Sequence, residues 1–250
     1  MTQAPFKDHF SSLAATYAQA RPGYPDALFD WIAAQAPARG LAWDAACGSG
    51  QATRGLATRF DAVHASDASA EQVAQARAPG NVAFAVEPAE RCSLGDATAD
   101  AACVAQALHW FDMPAFFAEC ARVLRPGGLL VAWTYDDLRL DADLEPAVDA
   151  FRREILPWWP PERGLVGAGY ARFAWPFEAV AVPDFSLEAE WPLARLLGYF
   201  SSYSATRRCR DATGVDPVAR HAGAIAAAWG DPEATRRLRW PLFVHARRAP

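Results

Sequence analysis

Apolar and polar positions alternate in short blocks between residues 40 and 135. Short apolar runs bounded by turn residues are typical of buried strands, and apolar positions three or four apart are typical of helices packed on a core. Strands and helices are therefore predicted in turn, which favours an α/β fold with a doubly wound, mostly parallel sheet. The predicted strands are 41–45, 62–66, 81–86, 101–107 and 129–134, and the predicted helices are 51–60, 70–77 and one that follows the N-cap Asp112 and stops at RPGG, 125–128.

Two segments lie outside this alternation. Before it, apolar residues at helical spacing lead to the turn RPGYP at 21–25. After it, residues 135–205 are rich in Trp, Pro and Phe, and we interpret them as an inserted cap over the sheet rather than a separate domain. A helix at 216–229 and a strand at 238–246 are predicted next. We expect a single domain over residues 1–250.

Composition mainly excludes classes of function. Apolar residues make up 52% of the 250 positions and charged residues 21%, as in ordinary globular proteins. The net charge of −5 argues against nonspecific nucleic-acid binding. No apolar run approaches the ~18 residues that span a membrane, and MTQAPFKDHF has no apolar signal-peptide core. The five cysteines form no CxxC pair, so no metal site is expected, and we expect a cytoplasmic protein.

A glycine turn follows the first predicted strand in the sequence WDAACGSGQATRGLA, 43–57. Backbone N–H groups of such turns bind nucleotide-like ligands. A dinucleotide-binding turn would need a third glycine where this chain has Thr53, and a P-loop would need a Lys that the turn lacks. Asp44 ends the strand, where its carboxylate would repel a pyrophosphate and attract an ammonium group.

A second acid, Asp67, follows the second predicted strand. Doubly wound folds place at this point the carboxylate that accepts ribose hydroxyls. A ribose and a cationic amino-acid end without phosphate describe S-adenosylmethionine. Two alternatives stay open: an NAD-dependent oxidoreductase, against which Asp44 and Thr53 count, and a protein that binds S-adenosylmethionine without catalysis.

The chain resembles class I S-adenosylmethionine-dependent methyltransferases, in particular small-molecule enzymes of the trans-aconitate methyltransferase type. The resemblance covers nearly the whole chain. It rests on YAQARPGYP, DAACGSGQA, ASDAS, QALHWFD, LRPGG and RWPLFVHARR. It implies a seven-stranded Rossmann-like sheet, S-adenosylmethionine as cofactor, and helices in residues 1–36 that cover the cofactor site. The implied partner is a small-molecule acceptor.

The resemblance also implies which residues hold the cofactor. Arg21 would lie near the cofactor's carboxylate, with Tyr17 helping to close the site, and Gln106 would face the methionine moiety; a surface arginine at a helix end is the alternative for Arg21. The expected cofactor-binding residues are Tyr17, Arg21, Asp44, Ala46, Gly48, Gly50, Asp67, Ala68, Ala89, Glu90 and Gln106.

Two positions depart from the superfamily pattern. Ala46 stands where the first glycine of the turn is usual, so this residue either keeps a negative φ or rearranges the turn. Pro88 stands where an acid commonly meets the adenine amino group. That contact would then come from Glu90, from the Ala89 backbone N–H, or from water.

The acceptor side is predicted from QALHWF and the carboxyl-terminal region. The sulfonium is a good methyl donor, so alignment of the acceptor at about 3 Å carries most of the acceleration. A carboxylate acceptor needs no base, whereas a hydroxyl needs one, with His109 as the first candidate and a rate rising through the ordinary histidine pKa of about 6.5. His109 is the catalytic candidate, and His109, Trp110, Tyr203 and Arg207 are the substrate-contact candidates.

Positive charge is concentrated near the carboxyl terminus. Residues 201–250 contain nine Arg and four acids. These arginines are either solvated surface residues or a positive wall beside a pocket for an anionic acceptor. We favour O-methylation of a carboxylate over that of a hydroxyl.

Overall fold

The computed structural model describes residues 23–250 of the chain. Its strands are β1 Leu41–Ala45, β2 Ala62–Asp67, β3 Val82–Val86, β4 Ala99–Ala105, β5 Leu124–Thr134, β6 Glu178–Val180, β7 Phe185–Trp191 and β8 Arg236–Arg248. Its α-helices are α1 Asp26–Gln35, α2 Gln51–Ala57, α3 Ala70–Gln75, α4 Met113–Val123, α5 Glu145–Ile155, α6 Arg163–Gly167, α7 Leu193–Ser201, α8 Ser204–Thr213 and α9 Pro217–Trp229. Single 3-10 turns lie at Leu108–Trp110 and Leu156–Trp158.

One twisted sheet organises these elements. Seven strands follow the order β3-β2-β1-β4-β5-β8-β6, and β7 pairs with β8 beside this path. The pairs from β3 to β5 are parallel, while β8 runs antiparallel to β5, β6 and β7. The predicted mostly parallel, seven-stranded, doubly wound sheet is confirmed. Because β1, β2 and β4 are parallel neighbours, their carboxyl ends meet at one edge.

Helix starts follow the capping residues in the sequence. Asp112 accepts a hydrogen bond from the Ala115 N–H at 3.2 Å and caps α4, with proline in the first turn. Asp216 accepts from the Val218 N–H at 2.9 Å and caps α9 in the same way. Both starts agree with the predicted ones, since a side-chain acceptor satisfies N–H groups that the helix leaves unpaired.

Several predicted boundaries are wrong. Helix 51–60 ends at Ala57, helix 70–77 ends at Gln75, and strand 238–246 extends over Arg236–Arg248. Strand β4 ends at Ala105 rather than at 107, because Gln106 has a φ of +57° and leaves the extended conformation. Strand β5 begins at Leu124 rather than at 129, so RPGG lies within the strand. The pairing of β4 with β5 shifts register between Ala99 and Ala101, which accommodates these residues as a bulge.

The segment 135–205 contributes helices and strands to both the sheet and its surroundings. Strands β6 and β7 pair with β8, and helices α5 and α7 pack together through Phe151 and Phe200, whose ring centroids are 4.8 Å apart. Apolar clusters cover both faces of the sheet, as parallel strands require. Within residues 23–250, each helix is too short or too polar to cross a membrane.

Candidate cofactor and acceptor site

The glycine turn between β1 and α2 has an unusual backbone. Ala46, Gly48 and Gly50 have φ values of +56°, +55° and +85°. The turn is held by hydrogen bonds from the Cys47 N–H to the Ser66 carbonyl at 2.9 Å and from the Gly50 N–H to the Cys47 carbonyl at 3.0 Å. Of the two alternatives for Ala46, a negative φ is wrong: the alanine adopts the left-handed conformation, at a cost of roughly 1–2 kcal/mol.

Asp67 fastens the glycine turn to the end of β2. Its Oδ2 accepts a hydrogen bond from the Gly48 N–H at 2.8 Å, and its Oδ1 accepts from the Ser69 N–H at 2.8 Å. Burial raises the pKa of this carboxyl, and the two hydrogen bonds oppose the rise without cancelling it. Each oxygen keeps a second acceptor site, so the carboxylate fixes the turn and still has capacity for ribose hydroxyls. The neighbouring Ala68 is exposed.

Asp44 is a fully buried acid, and one of its two carboxylate oxygens has no hydrogen-bond partner among the described residues. Its Oδ2 accepts from the Thr53 hydroxyl at 2.5 Å, whereas Oδ1 has no hydrogen-bond partner in the described part of the chain. Its pKa is raised to about 7; burial is the largest cause, the charge of Asp67 contributes to the rise, and the Thr53 bond opposes it. A buried carboxylate oxygen without a partner is costly, and a cationic ligand group would satisfy it.

The loop after β3 contains the adenine candidates. Oε2 of Glu87 lies 3.0 Å from His64 Nε2 and accepts from the Ser93 N–H at 3.1 Å, so this acid is committed to the protein. Glu90 accepts from the Asp112 N–H through Oε1 at 2.9 Å. Ala89 is buried beside it. Sequence reasoning missed His64, because a histidine in a buried strand gives no functional signal.

Gln106 is held rigidly where β4 ends. Its N–H donates to the Trp133 carbonyl at 2.9 Å, and its side-chain Nε2 donates to the Tyr135 carbonyl at 3.0 Å. The Thr134 hydroxyl donates to its Oε1. These bonds join the carboxyl ends of β4 and β5, which accounts for the left-handed backbone of Gln106.

His109 lies in the turn that follows β4 and is bonded to the segment after α6. Its Nδ1 is 2.9 Å from the Tyr170 hydroxyl, and its ring centroid is 4.7 Å from that of Trp110, which is partly exposed. Burial and, after it, the positive charge of Arg163 lower the pKa of His109 to about 4. The ordinary histidine pKa of about 6.5 expected for His109 in the case of a hydroxyl acceptor is therefore wrong, because the imidazole is already neutral at pH 5.5.

The residues around His109 come from a distant part of the chain. Arg163 pairs with Asp136, which follows β5, and its guanidinium lies 4.8 Å from the Trp159 ring centroid. Burial raises the pKa of the Tyr170 hydroxyl, which keeps this group protonated. Sequence reasoning missed Arg163 and Tyr170; the only signal was the aromatic-rich composition of 135–205.

Tyr203 and Arg207 lie at the start of α8. Tyr203 is buried, and its hydroxyl donates to Asp137 Oδ1 at 2.9 Å, while Arg152 pairs with the other oxygen of Asp137 at 2.6 Å. Arg207 is partly buried, and its N–H donates to the Tyr203 carbonyl at 3.2 Å. A contact between Tyr203 and an acceptor would compete with the bond to Asp137. The remaining candidates, Tyr17 and Arg21, lie outside the described residues.

Several carboxyl-terminal arginines are paired with acids from other elements. Arg236 pairs with Asp143 at 2.9 Å, and Arg220 pairs with Glu154 at 2.9 Å. Arg237 pairs with Glu188, which explains part of the positive charge as structural ion pairs. The positive charge that acts on His109 comes from Arg163, outside the last fifty residues.

The doubly wound sheet and the two acids around a glycine turn fit an adenosine ligand with a cationic end. Known proteins agree with this interpretation. A family model described as a methyltransferase domain matches residues 43–132. A Dictyostelium discoideum protein named "Putative methyltransferase" is 33% identical over 208 residues, which cover 81% of this chain and 79% of that protein.

Two further comparisons extend this likeness. A Mycobacterium tuberculosis protein named "Uncharacterized methyltransferase" is 40% identical over 134 residues, covering 52% of this chain and 54% of its own. A solved structure titled "Putative Type II Methyltransferase" from Anaeromyxobacter dehalogenans is 44% identical, with a TM-score of 0.88, and the match covers 92% of this chain and 99% of that one.

The chain belongs to the class I S-adenosylmethionine-dependent methyltransferases. It is an enzyme, and S-adenosylmethionine is its cofactor. The residues present fit this cofactor, because the unpartnered buried oxygen of Asp44 offers an acceptor for the ammonium group. The oxidoreductase and the non-catalytic binding protein are therefore set aside.

Proposed function

We propose that the enzyme transfers a methyl group to a carboxylate oxygen of a small anionic acceptor, as in the trans-aconitate type that the sequence resembles. The observation that carries this proposal is the environment of His109. Its pKa of about 4 makes it a weak base at neutral pH, where efficient general bases have a pKa near the working pH. An acceptor that is already ionised has no proton for a base to remove.

On the cofactor side, the acids at the ends of β1 and β2 would hold the two ends of S-adenosylmethionine. Asp44 would bind the ammonium group through Oδ1, and Asp67 would accept hydrogen bonds from the ribose hydroxyls. Glu90 and the Ala89 N–H are the candidates for the adenine, and Gln106 would border the methionine moiety. When bound, the cofactor supplies an electrophilic methyl group.

On the acceptor side, His109 would act as a hydrogen-bond donor. In the tautomer that we propose, Nδ1 accepts from the Tyr170 hydroxyl 2.9 Å away, so the imidazole proton is on Nε2 and available to an acceptor oxygen. Arg163 supplies a positive charge near the ring. Trp110, Tyr203 and Arg207 are the further candidates for contacts with the acceptor. This arrangement binds and orients a carboxylate without transferring a proton.

The domain arrangement follows from the same proposal. Residues 1–36 would cover the cofactor, with Tyr17 and Arg21 contributing to its methionine end, and residues 135–205 would cap the acceptor. The cap would exclude water from the sulfonium and hold the acceptor in line with its methyl group.

The experiment is a screen with methyl-labelled S-adenosylmethionine against di- and tricarboxylic acids and small phenols. A methyl ester releases labelled methanol on treatment with alkali, whereas a methyl ether does not. We expect alkali-labile product from at least one carboxylic acid, and less of it from Asp67→Ala at the same subsaturating cofactor concentration. Alkali-stable product from phenols alone would show that the acceptor is a hydroxyl and contradict the proposal.

A further inference from the structure

Trp133 is a buried residue on β5 with an unused hydrogen-bond donor. The side chain is fully buried, and its Nε1 has no hydrogen-bond partner within residues 23–250. Buried tryptophan usually finds a partner for its N–H. Its backbone is fixed, because the Trp133 carbonyl accepts from the Gln106 N–H at 2.9 Å. The backbone of Trp133 therefore lies beside the end of β4, next to Gln106 of the predicted methionine site, and the indole N–H of this residue is unused.

The strand register places this unused donor on the same face of the sheet as the unused acceptor of Asp44. Asp44 pairs with Cys103 on β4, and Ala105, two residues further on, pairs with Trp133 on β5. Residues paired across a sheet share a face, as do residues two apart in a strand. Asp44 and Trp133 thus flank β4, whose side chains between them are the small ones of Cys103 and Ala105.

The amino-acid end of S-adenosylmethionine carries a hydrogen-bond partner for each of the two unpartnered groups, Asp44 Oδ1 and Trp133 Nε1. Its ammonium needs an acceptor, and its carboxylate, on the same carbon, needs a donor. Two strand spacings separate β1 from β5, which is about 10 Å between backbones. The side chains of Asp44 and Trp133 lie on the same face of the sheet, on either side of β4. We infer that the Trp133 indole N–H donates to the cofactor's carboxylate, opposite the ammonium bound by Asp44. The inference rests on the proposed contact of Asp44.

A competing explanation for the unpartnered indole N–H of Trp133 is that it points at a neighbouring aromatic ring. Tyr24 and Phe29 pack edge-on against Trp133, with centroid distances of 5.5 and 6.2 Å. An N–H directed at a ring face is a weak hydrogen bond that a charged carboxylate would exceed. In that account, Trp133 is purely structural and its N–H is irrelevant to the cofactor.

The test separates the two accounts with a pair of ligands. S-adenosylhomocysteine has the amino-acid carboxylate, and 5′-methylthioadenosine has the same nucleoside without it. We expect Trp133→Phe to raise the dissociation constant of S-adenosylhomocysteine about tenfold, as for a lost charge-assisted hydrogen bond. The dissociation constant of 5′-methylthioadenosine should stay within about twofold, since its contacts do not include the indole. The measurement is calorimetric titration of both ligands.

Trp175→Phe is the matched control. Trp175 also has a buried Nε1 without a partner in the described chain, but this partly buried residue packs against the apolar cluster on the other face of the sheet. This variant should bind both ligands like the wild type. Nitrogen-15 spectra of the wild type give a second readout: the assigned Trp133 indole N–H should shift downfield with S-adenosylhomocysteine and stay unchanged with 5′-methylthioadenosine.

The inference would be overturned if Trp133→Phe weakened the binding of both ligands equally, or if the indole signal responded to both ligands alike. Neither result would contradict the proposed cofactor site. If Trp133→Phe does not fold, the wild-type spectrum decides alone. Failure of S-adenosylhomocysteine to bind the wild type would instead contradict the proposed function.

Discussion

The pKa of Asp44 predicts that cofactor binding depends on pH in a range where most carboxylates do not titrate. Burial raises this pKa to about 7 in the free enzyme, and an ammonium group next to Oδ1 favours the ionised form. Below pH 7, ligand binding must therefore displace a proton from Asp44. The affinity should rise with pH up to about 7 and then level off.

The size of this effect follows from the fraction of ionised Asp44. With a pKa of about 7, this fraction is about one half at pH 7.0 and about 3% at pH 5.5. The dissociation constant of S-adenosylhomocysteine should therefore be about 15-fold higher at pH 5.5 than at pH 7.0. The α-ammonium of the ligand stays protonated throughout this range, and His109, with a pKa of about 4, contributes little.

The assay is calorimetric titration in buffers with different ionisation enthalpies, which reports both affinity and released protons. At pH 6.5 we expect about three quarters of a proton to be released per ligand bound. Asp44→Asn keeps an acceptor for the Thr53 hydroxyl, removes the titrating group, and should bind about tenfold or more weakly with little pH dependence. A wild-type dissociation constant that stays within twofold from pH 5.5 to 7.0 would refute the assignment of Asp44.

Three other outcomes are expected. Ligand-free Asp44→Asn should melt about 5 °C or more above the wild type at pH 8, and this difference should shrink toward pH 4. The reason is the raised pKa of Asp44 in the folded state, because of which ionisation of Asp44 costs stability as pH rises from about 4 to 7. Equal melting curves would contradict the argument that burial raises this pKa. Asp67→Ala should raise the dissociation constant of S-adenosylhomocysteine at least about tenfold, and Asp67→Asn should have an intermediate effect. An unchanged dissociation constant in a folded Asp67→Ala variant would show that Asp67 does not bind the ribose. With a carboxylate acceptor, kcat should not change from pH 5.5 to 8.5 in the wild type or in His109→Gln. The substitution should raise the KM for the acceptor by about tenfold. A pH-dependent loss of kcat in His109→Gln would show that His109 acts as a base.

The sheet and the cofactor turn were largely predictable because their signals are local. Buried parallel strands are continuous apolar runs, and the acids that end β1 and β2 stand beside turn residues in the sequence. The sequence does not decide the conformation of Ala46, because its left-handed φ depends on a bond from the turn to Ser66 on another strand. Sequence spacing does not report such bonds.

The acceptor side was predictable only in part because it is assembled from distant segments. His109 was found from its place after β4, but its neutral state depends on burial and on Arg163, which lies far along the chain. Tyr203 was identified as a polar aromatic residue near arginines. Its bond to Asp137 could not be anticipated, since it joins positions 66 residues apart.

The most direct test of the account is a crystal structure of the enzyme with S-adenosylhomocysteine. The account predicts the ligand's ammonium nitrogen at roughly 2.7–3.2 Å from Asp44 Oδ1 and both ribose hydroxyls within hydrogen-bonding distance of Asp67. A ligand whose ammonium lies away from Asp44, with Oδ1 still without a partner, would contradict it.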